Sequence, residues 1–107
     1  MAETLERYKS KPVATTLTAL ALIATNHTAT MIVHACNQAA AVDTIRIAHI
    51  DGGVGDIAAE DYIVYDFPLE ASGVLDIAGI AAKAGDTIAV YSTNGTTSFQ
   101  AWSIDIQ

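Results

Sequence analysis

Between Met31 and His49 the chain reads MIVHACNQAAAVDTIRIAH. This short stretch holds His34, Cys36 and His49, in a protein with one cysteine and three histidines. Imidazole and thiolate are the preferred ligands of zinc, and a thiol beside an imidazole is the pair a cysteine nucleophile requires. Side-chain alternation on a strand decides whether they can converge. In TMIVHACN one parity set is Met31, Val33 and Ala35; the other is Ile32, His34 and Cys36. With the uniformly apolar set turned inward, His34 and Cys36 face water. In DTIRIAHI, Arg46 takes the solvent side, so Ile45, Ile47 and His49 point in. The three would then lie on opposite sides of the sheet; only the reverse orientation of the first strand gathers them. No zinc-motif spacing and no third, orienting group accompany them. The expectation is two neighbouring strands, with no metal, no cofactor and no catalytic residue.

Other motifs point the same way. Asp51 to Asp56, DGGVGD, is glycine-rich, but it lacks the following helix and the Lys-Ser/Thr of a phosphate loop. Asp51, Asp56, Glu60 and Asp61 supply oxygens for Ca²⁺ without the EF-hand spacing, which favours a solvated, mobile loop. Asn26-His27-Thr28 and Asn94-Gly95-Thr96 fit the glycosylation pattern and read as turns. There is no Gly-x-Ser-x-Gly elbow and no placed carboxylate pair. Acidic residues are expected singly, on the outer faces of different strands.

The chain of 107 residues suits one domain. Its apolar fraction of 51% and low charge suit burial against copies of itself or a partner. The net charge of −7 argues against nucleic acid, and from Pro12 onward two basic residues stand against ten acidic ones, which repels phosphate and anionic lipid. A lone cysteine forms no intrachain disulfide. The opening RYKSKPVATTLTALAL imitates a signal peptide, but Glu3, Glu6 and the threonines Thr15, Thr16 and Thr18 break the pattern, so cleavage is not expected. The same run is too short and too polar to span a membrane.

Short β-branched and aromatic runs alternate with turn signals, which predicts an all-β fold: an antiparallel, jelly-roll-like β-sandwich of about seven or eight strands. Strands are expected at residues 17–23, 30–37, 43–50, 61–67, 74–79, 87–92 and 98–106, making a sandwich domain of residues 17–107. Residues 1–16 form an N-terminal arm, in which Ala2–Ser10 offers the one helical stretch, with Leu5 and Tyr8 at i, i+3. Asn94-Gly95 predicts a tight hairpin with φ > 0 at both positions. Parity puts Asp66 outside with Ile63, Tyr65 and Phe67 inside, and Asp76 outside with Leu75 and Ile77 inside. Phe99 and Trp102 have opposite parity: either a bulge near Ala101 brings both into the core, or one is an exposed interface anchor.

The order ATTLTALAL, TMIVHACNQAAAVDTIRIAHIDGG, DYIVYDFPL, AGDTIAVYS and a terminal strand around SFQAW resembles small virion structural proteins of tailed bacteriophages. The resemblance covers about Ala14 to the C-terminus and rests on strand and turn patterns. It implies a non-enzymatic β-sandwich that assembles on the particle in the host bacterial cytoplasm. Capsid decoration or cement is the best placement, with neck, tail or baseplate as alternatives. It also implies contacts with copies of itself, a homo-oligomer with a trimer among the options, and with the major capsid protein or another virion protein. A reading from another class is a carbohydrate-binding adhesion module on a tail fibre. The partner contacts are expected from the basic arm and one aromatic anchor: Leu5, Arg7, Tyr8, Lys9, Lys11, Val13 and Trp102.

Overall fold

A computed structural model describes residues 3–107. Eight strands follow in order: β1 (Glu3–Ser10), β2 (Thr18–Leu22), β3 (Thr28–Asn37), β4 (Asp43–Ile50), β5 (Tyr62–Leu69), β6 (Val74–Lys83), β7 (Thr87–Ser92) and β8 (Thr97–Ile106). They form two antiparallel four-stranded sheets, β1-β8-β3-β6 and β2-β7-β4-β5. The nested pairs β1:β8, β2:β7, β3:β6 and β4:β5 are those of a jelly roll, as if one long hairpin had been wound up. β4 and β7 have the bounds their sequence signals predict. β5 runs on through Pro68, which an edge strand tolerates because its missing N–H faces away from the ladder.

Three expectations are corrected. Glu3–Ser10 is a strand and no helix: a helix this short has nothing to stabilise it alone, whereas β8 offers an open edge and eight successive rungs. The arm is therefore part of the first sheet from Glu3 to Ser10, and only residues 11–17 connect it to β2; Met1 and Ala2 lie outside the described residues. Second, β3 and β4 are not neighbours within a sheet, since the chain crosses the sandwich between them. Third, of the Asn94-Gly95 pair only Gly95 has positive φ (70°), so residues 93–96 make a longer loop in which Asn94 donates from its side chain to Val42 O.

The core lies between the sheets. Phe99, Val33, Ala35, Ile45, Ile47 and Val90 are fully buried there, with Met31 and Ile80 beside them. Leu75 and Ile77 pack against it as alternation predicts. The β5 assignment is reversed: Val64 is buried while Ile63, Tyr65 and Phe67 are exposed. The cause is a bulge. Ile45 and Ile47 pair with Phe67 and Val64, so the bulged strand has an extra residue, and Asp66 adopts φ 49°. A second bulge sits in β6, where Met31 and Val33 pair with Ile80 and Ile77 and Gly79 takes φ 76°, a conformation glycine adopts without strain.

The segment expected to be a mobile loop is instead a cover. Its two 3-10 turns, Val54–Asp56 and Ala59–Asp61, are capped by Asp56 accepting from Gly53 N–H and Asp61 from Ala58 N–H. Val54 and Ile57, with Leu17 and Tyr62, pack on Ala48, Ile50 and Ala89, making a small second core on the outer face of the second sheet.

Three acidic residues contradict the expected outward placement: Asp43, Asp86 and Asp105 are buried. Asp43 stands at one end of the sandwich. Its carboxylate accepts from the hydroxyls of Ser92 and Thr97 and from the N–H groups of Thr44 and Asn94, at 2.9 Å for both amides. Beside it, the buried Asn37 amide donates to Ala41, Leu69 and Glu70 carbonyls and accepts from Ala39 N–H and Thr96 Oγ1. At the opposite end, Asp86 accepts from His49 Nε2 (2.8 Å) and Lys83 N–H. Burial pushes both carboxyls up, but for Asp43 the four donors, and for Asp86 the Lys83 N–H and His49, outweigh it and hold each below the ordinary value.

A depressed folded pKa adds stability above the unfolded value and loses it as pH falls through the folded one. Acid unfolding is therefore expected to set in below about pH 4, the unfolded carboxylate range, and Asp43→Asn is expected to flatten that limb. Asp43→Ala strands four donors and is expected to cost about 3 kcal/mol or more. Circular dichroism melts from pH 2 to 7 check both.

Candidate interaction surface

The outward residues of the first sheet form rows that cross its strands. One row is Asp76, His34, Gln100 and Lys9; the next is Ile32, Trp102 and Arg7; then Ala81, Thr30, Ile104 and Leu5; then Lys83, Thr28, Ile106 and Glu3. The middle rows carry exposed apolar side chains: Leu5 is 81% exposed, Ile104 47%, Ile32 43% and Trp102 41%. Between them lies a shallow groove of about 600 Å³ lined by Leu5, Arg7, Ile32, Trp102, Ile104 and the Ala78–Gly79 bulge. Charged residues of both signs bound it at each end. An apolar centre with a polar rim is the anatomy of a protein–protein contact.

β8 has no bulge along its pairing with β1 and β3, so its alternation is unbroken: Phe99, Ala101 and Ser103 point in while Trp102 and Ile104 point out. Of the two options left open by parity, no bulge draws Trp102 into the core, and its side chain is exposed. Of the other residues expected to make contacts, Leu5, Arg7 and Lys9 share Trp102's face. Lys11 and Val13 are exposed in the connection that follows. Tyr8 is turned the other way and packs against the core, which, with nearby Asp105 and Glu6, raises its phenol pKa. Ile32 and Ile104 were missed; opposite parity to Met31, Val33 and Phe99 was the signal that marks them.

His34, Cys36 and His49 do not converge. His34 is on the outer face of the first sheet, 2.5 Å from Asp76 Oδ1 through Nδ1 and 6.0 Å from the Trp102 ring centre to centre. Cys36, half-buried, pairs with Ser98 and Val74 farther along the same face. His49 belongs to the second sheet and points inward, as alternation predicts, onto Asp86. Among the described residues no group of three or more His, Cys, Asp or Glu side chains is placed to hold a metal ion.

The centre of the second sheet's outer face is covered by its own residues, while Leu22 and Tyr65 stay exposed on its edge strands. Besides the small second core, Arg46 donates to Asp66 Oδ1 at 2.6 Å and lies 4.4 Å and 4.6 Å from the Tyr65 and Tyr91 ring centres. The Asp66 hydrogen bond raises the guanidinium pKa further above its ordinary value. This cation is already saturated by a carboxylate and aromatic faces, and its partners take up most of the tyrosines available to stack on a sugar.

Zinc and EDTA are each expected to leave the melting temperature unchanged, read by scanning calorimetry. A zinc-dependent rise of several degrees, about 1 kcal/mol for a domain of this size, would show ligands gathered that the two sheets hold apart. Trp102→Ala is expected to reduce self-association or partner binding while leaving the far-ultraviolet spectrum intact, since its side chain stands outside the core.

No family model matches the chain, and no curated protein or solved structure is a significant match to it.

Proposed function

We propose that the protein is a non-enzymatic structural component of a bacteriophage virion, best placed as a capsid decoration or cement protein. Its open sheet face would dock on the major capsid protein or another virion protein. The observation that carries the reading is the inequality of the two outer faces. One is covered at its centre by residues 51–61 and by the Arg46 cluster, leaving Leu22 and Tyr65 exposed on its edge strands; the other has no such cover and leaves Leu5, Ile32, Trp102 and Ile104 exposed side by side inside a charged rim. Aromatic side chains at the centre of such a patch typically dominate binding energy. The resemblance of the sequence's strand and turn patterns to small virion proteins is what suggests the particle as the setting. The jelly roll adds fold-level analogy, since capsid and lectin domains both use it.

Mass spectrometry of purified particles from a culture encoding the chain is expected to find it at structural copy number, and cryo-electron microscopy to place it on the head. Its absence from particles would refute the proposal. Density at the neck, tail or baseplate would move the assignment there, and specific binding on a glycan array would favour an adhesion module instead.

A further inference from the structure

The two sheets have four edge strands, β1, β6, β2 and β5, and three of them are interrupted. β2 shifts register between Ala19 and Ala21, β5 carries the Asp66 bulge and Pro68, and β6 carries the Gly79 bulge. Bulges, prolines and charged side chains are the usual devices that stop an edge from pairing with another chain; the charges on β1, Glu3, Glu6, Arg7 and Lys9, are of both signs, so a register exists in which they pair rather than repel. β1 has no bulge and no proline: all eight rungs to β8 are regular.

We propose that β1 pairs antiparallel with β1 of a second copy about a twofold axis through Leu5, joining the first sheets of two copies into one eight-stranded sheet. The argument is one of symmetry and charge. A twofold axis perpendicular to the sheet keeps outer faces outward, so it must pass through a residue position, with each residue opposite one of like parity. Centring at Glu6 sets Glu6 against Glu6, and centring at Arg7 sets Arg7 against Arg7. Centring at Tyr8 opposes Arg7 to Lys9, and centring at Thr4 places Leu5 against Glu3. Centring at Leu5 sets Leu5 against Leu5, with Glu3 of each copy opposite Arg7 of the other and Thr4 opposite Glu6. Leu5, at 81% the most exposed large apolar side chain among the described residues, is thereby covered. The row Ala81, Thr30, Ile104, Leu5 then continues without a break into the same row of the second copy.

This deepens the assembly role proposed above, resting on it only for the expectation that copies meet. The test uses the full chain with Cys36→Ser to remove the native thiol. Leu5→Cys is expected to form an interchain disulfide on mild oxidation, because directly opposite Cβ atoms lie about 4.5–5.5 Å apart. Arg7→Cys is expected not to, because two Arg7 positions are then separated by four residues of strand, roughly 13 Å. Glu3→Arg and Arg7→Glu are each expected to weaken the dimer about three- to tenfold in sedimentation, each removing two exposed pairs, and the double reversal to restore it. No Leu5→Cys crosslink, crosslinking at Arg7→Cys as readily as at Leu5→Cys, or no rescue by the double reversal would overturn the proposal. A chain found on particles without the crosslink would leave the virion role standing and remove this one; the crosslink in a chain absent from particles would do the reverse.

Discussion

The buried carboxylate of Asp43 is the constraint on which the two-sheet arrangement turns. It begins β4 in the second sheet, yet its oxygens are shared between Ser92 at the end of β7 and Thr97 at the start of β8 in the first sheet. A charge in that position is tolerable only when every lone pair has a donor. Satisfying it therefore fixes where β4 enters, where β7 ends and how the loop between β7 and β8 folds. Asn37 does the same for neighbouring connections, tying the end of β3 to the turn between β5 and β6 through the Leu69 and Glu70 carbonyls. Hydrophobic burial brings the sheets together, and this polar group selects one register among the ways they could stack.

From that register follows the division of labour between faces. With both inner faces committed to the core, each outer face must be dealt with separately. The long connection between β4 and β5 folds back and covers the second sheet, where Ala48 and Ala89 are small enough to let Val54 and Ile57 approach. The first sheet has no comparable connection: β8 and β3, its central strands, are joined to the rest of the chain at the sandwich ends. Its outward apolar residues, Leu5, Ile32, Trp102 and Ile104, stay exposed.

Much of this was legible from alternation. The Met31, Val33, Ala35 set, the inward His49 and nearly all strand positions follow from period two and turn chemistry. Failures occur where the period breaks. The Asp66 bulge reverses β5, because an aspartate in a left-handed conformation looks in sequence like any solvent-facing acid. β1 was obscured because its alternating charges and two apolar residues fit a short helix as well as a strand, and only the tertiary pairing to β8 decides. The buried acids were misread for a related reason: an Asp beside Thr at a strand start resembles a surface residue unless its distant partners, Ser92 and Thr97, are known. The exposed face of the first sheet was half visible, through Leu5, Arg7, Lys9 and Trp102. Ile32 and Ile104 were hidden because an isoleucine in a strand is first taken as core.

The cover over the second sheet has a further consequence in its charge. Asp51, Asp56, Glu60 and Asp61 all lie in it, and Asp66 flanks it, so the side with the cover is also rich in carboxylates. One outer face thus presents apolar residues within a charged rim, and the other a run of carboxylates. Copies that meet cover to cover place like charges together, which discourages stacking into columns and open fibres.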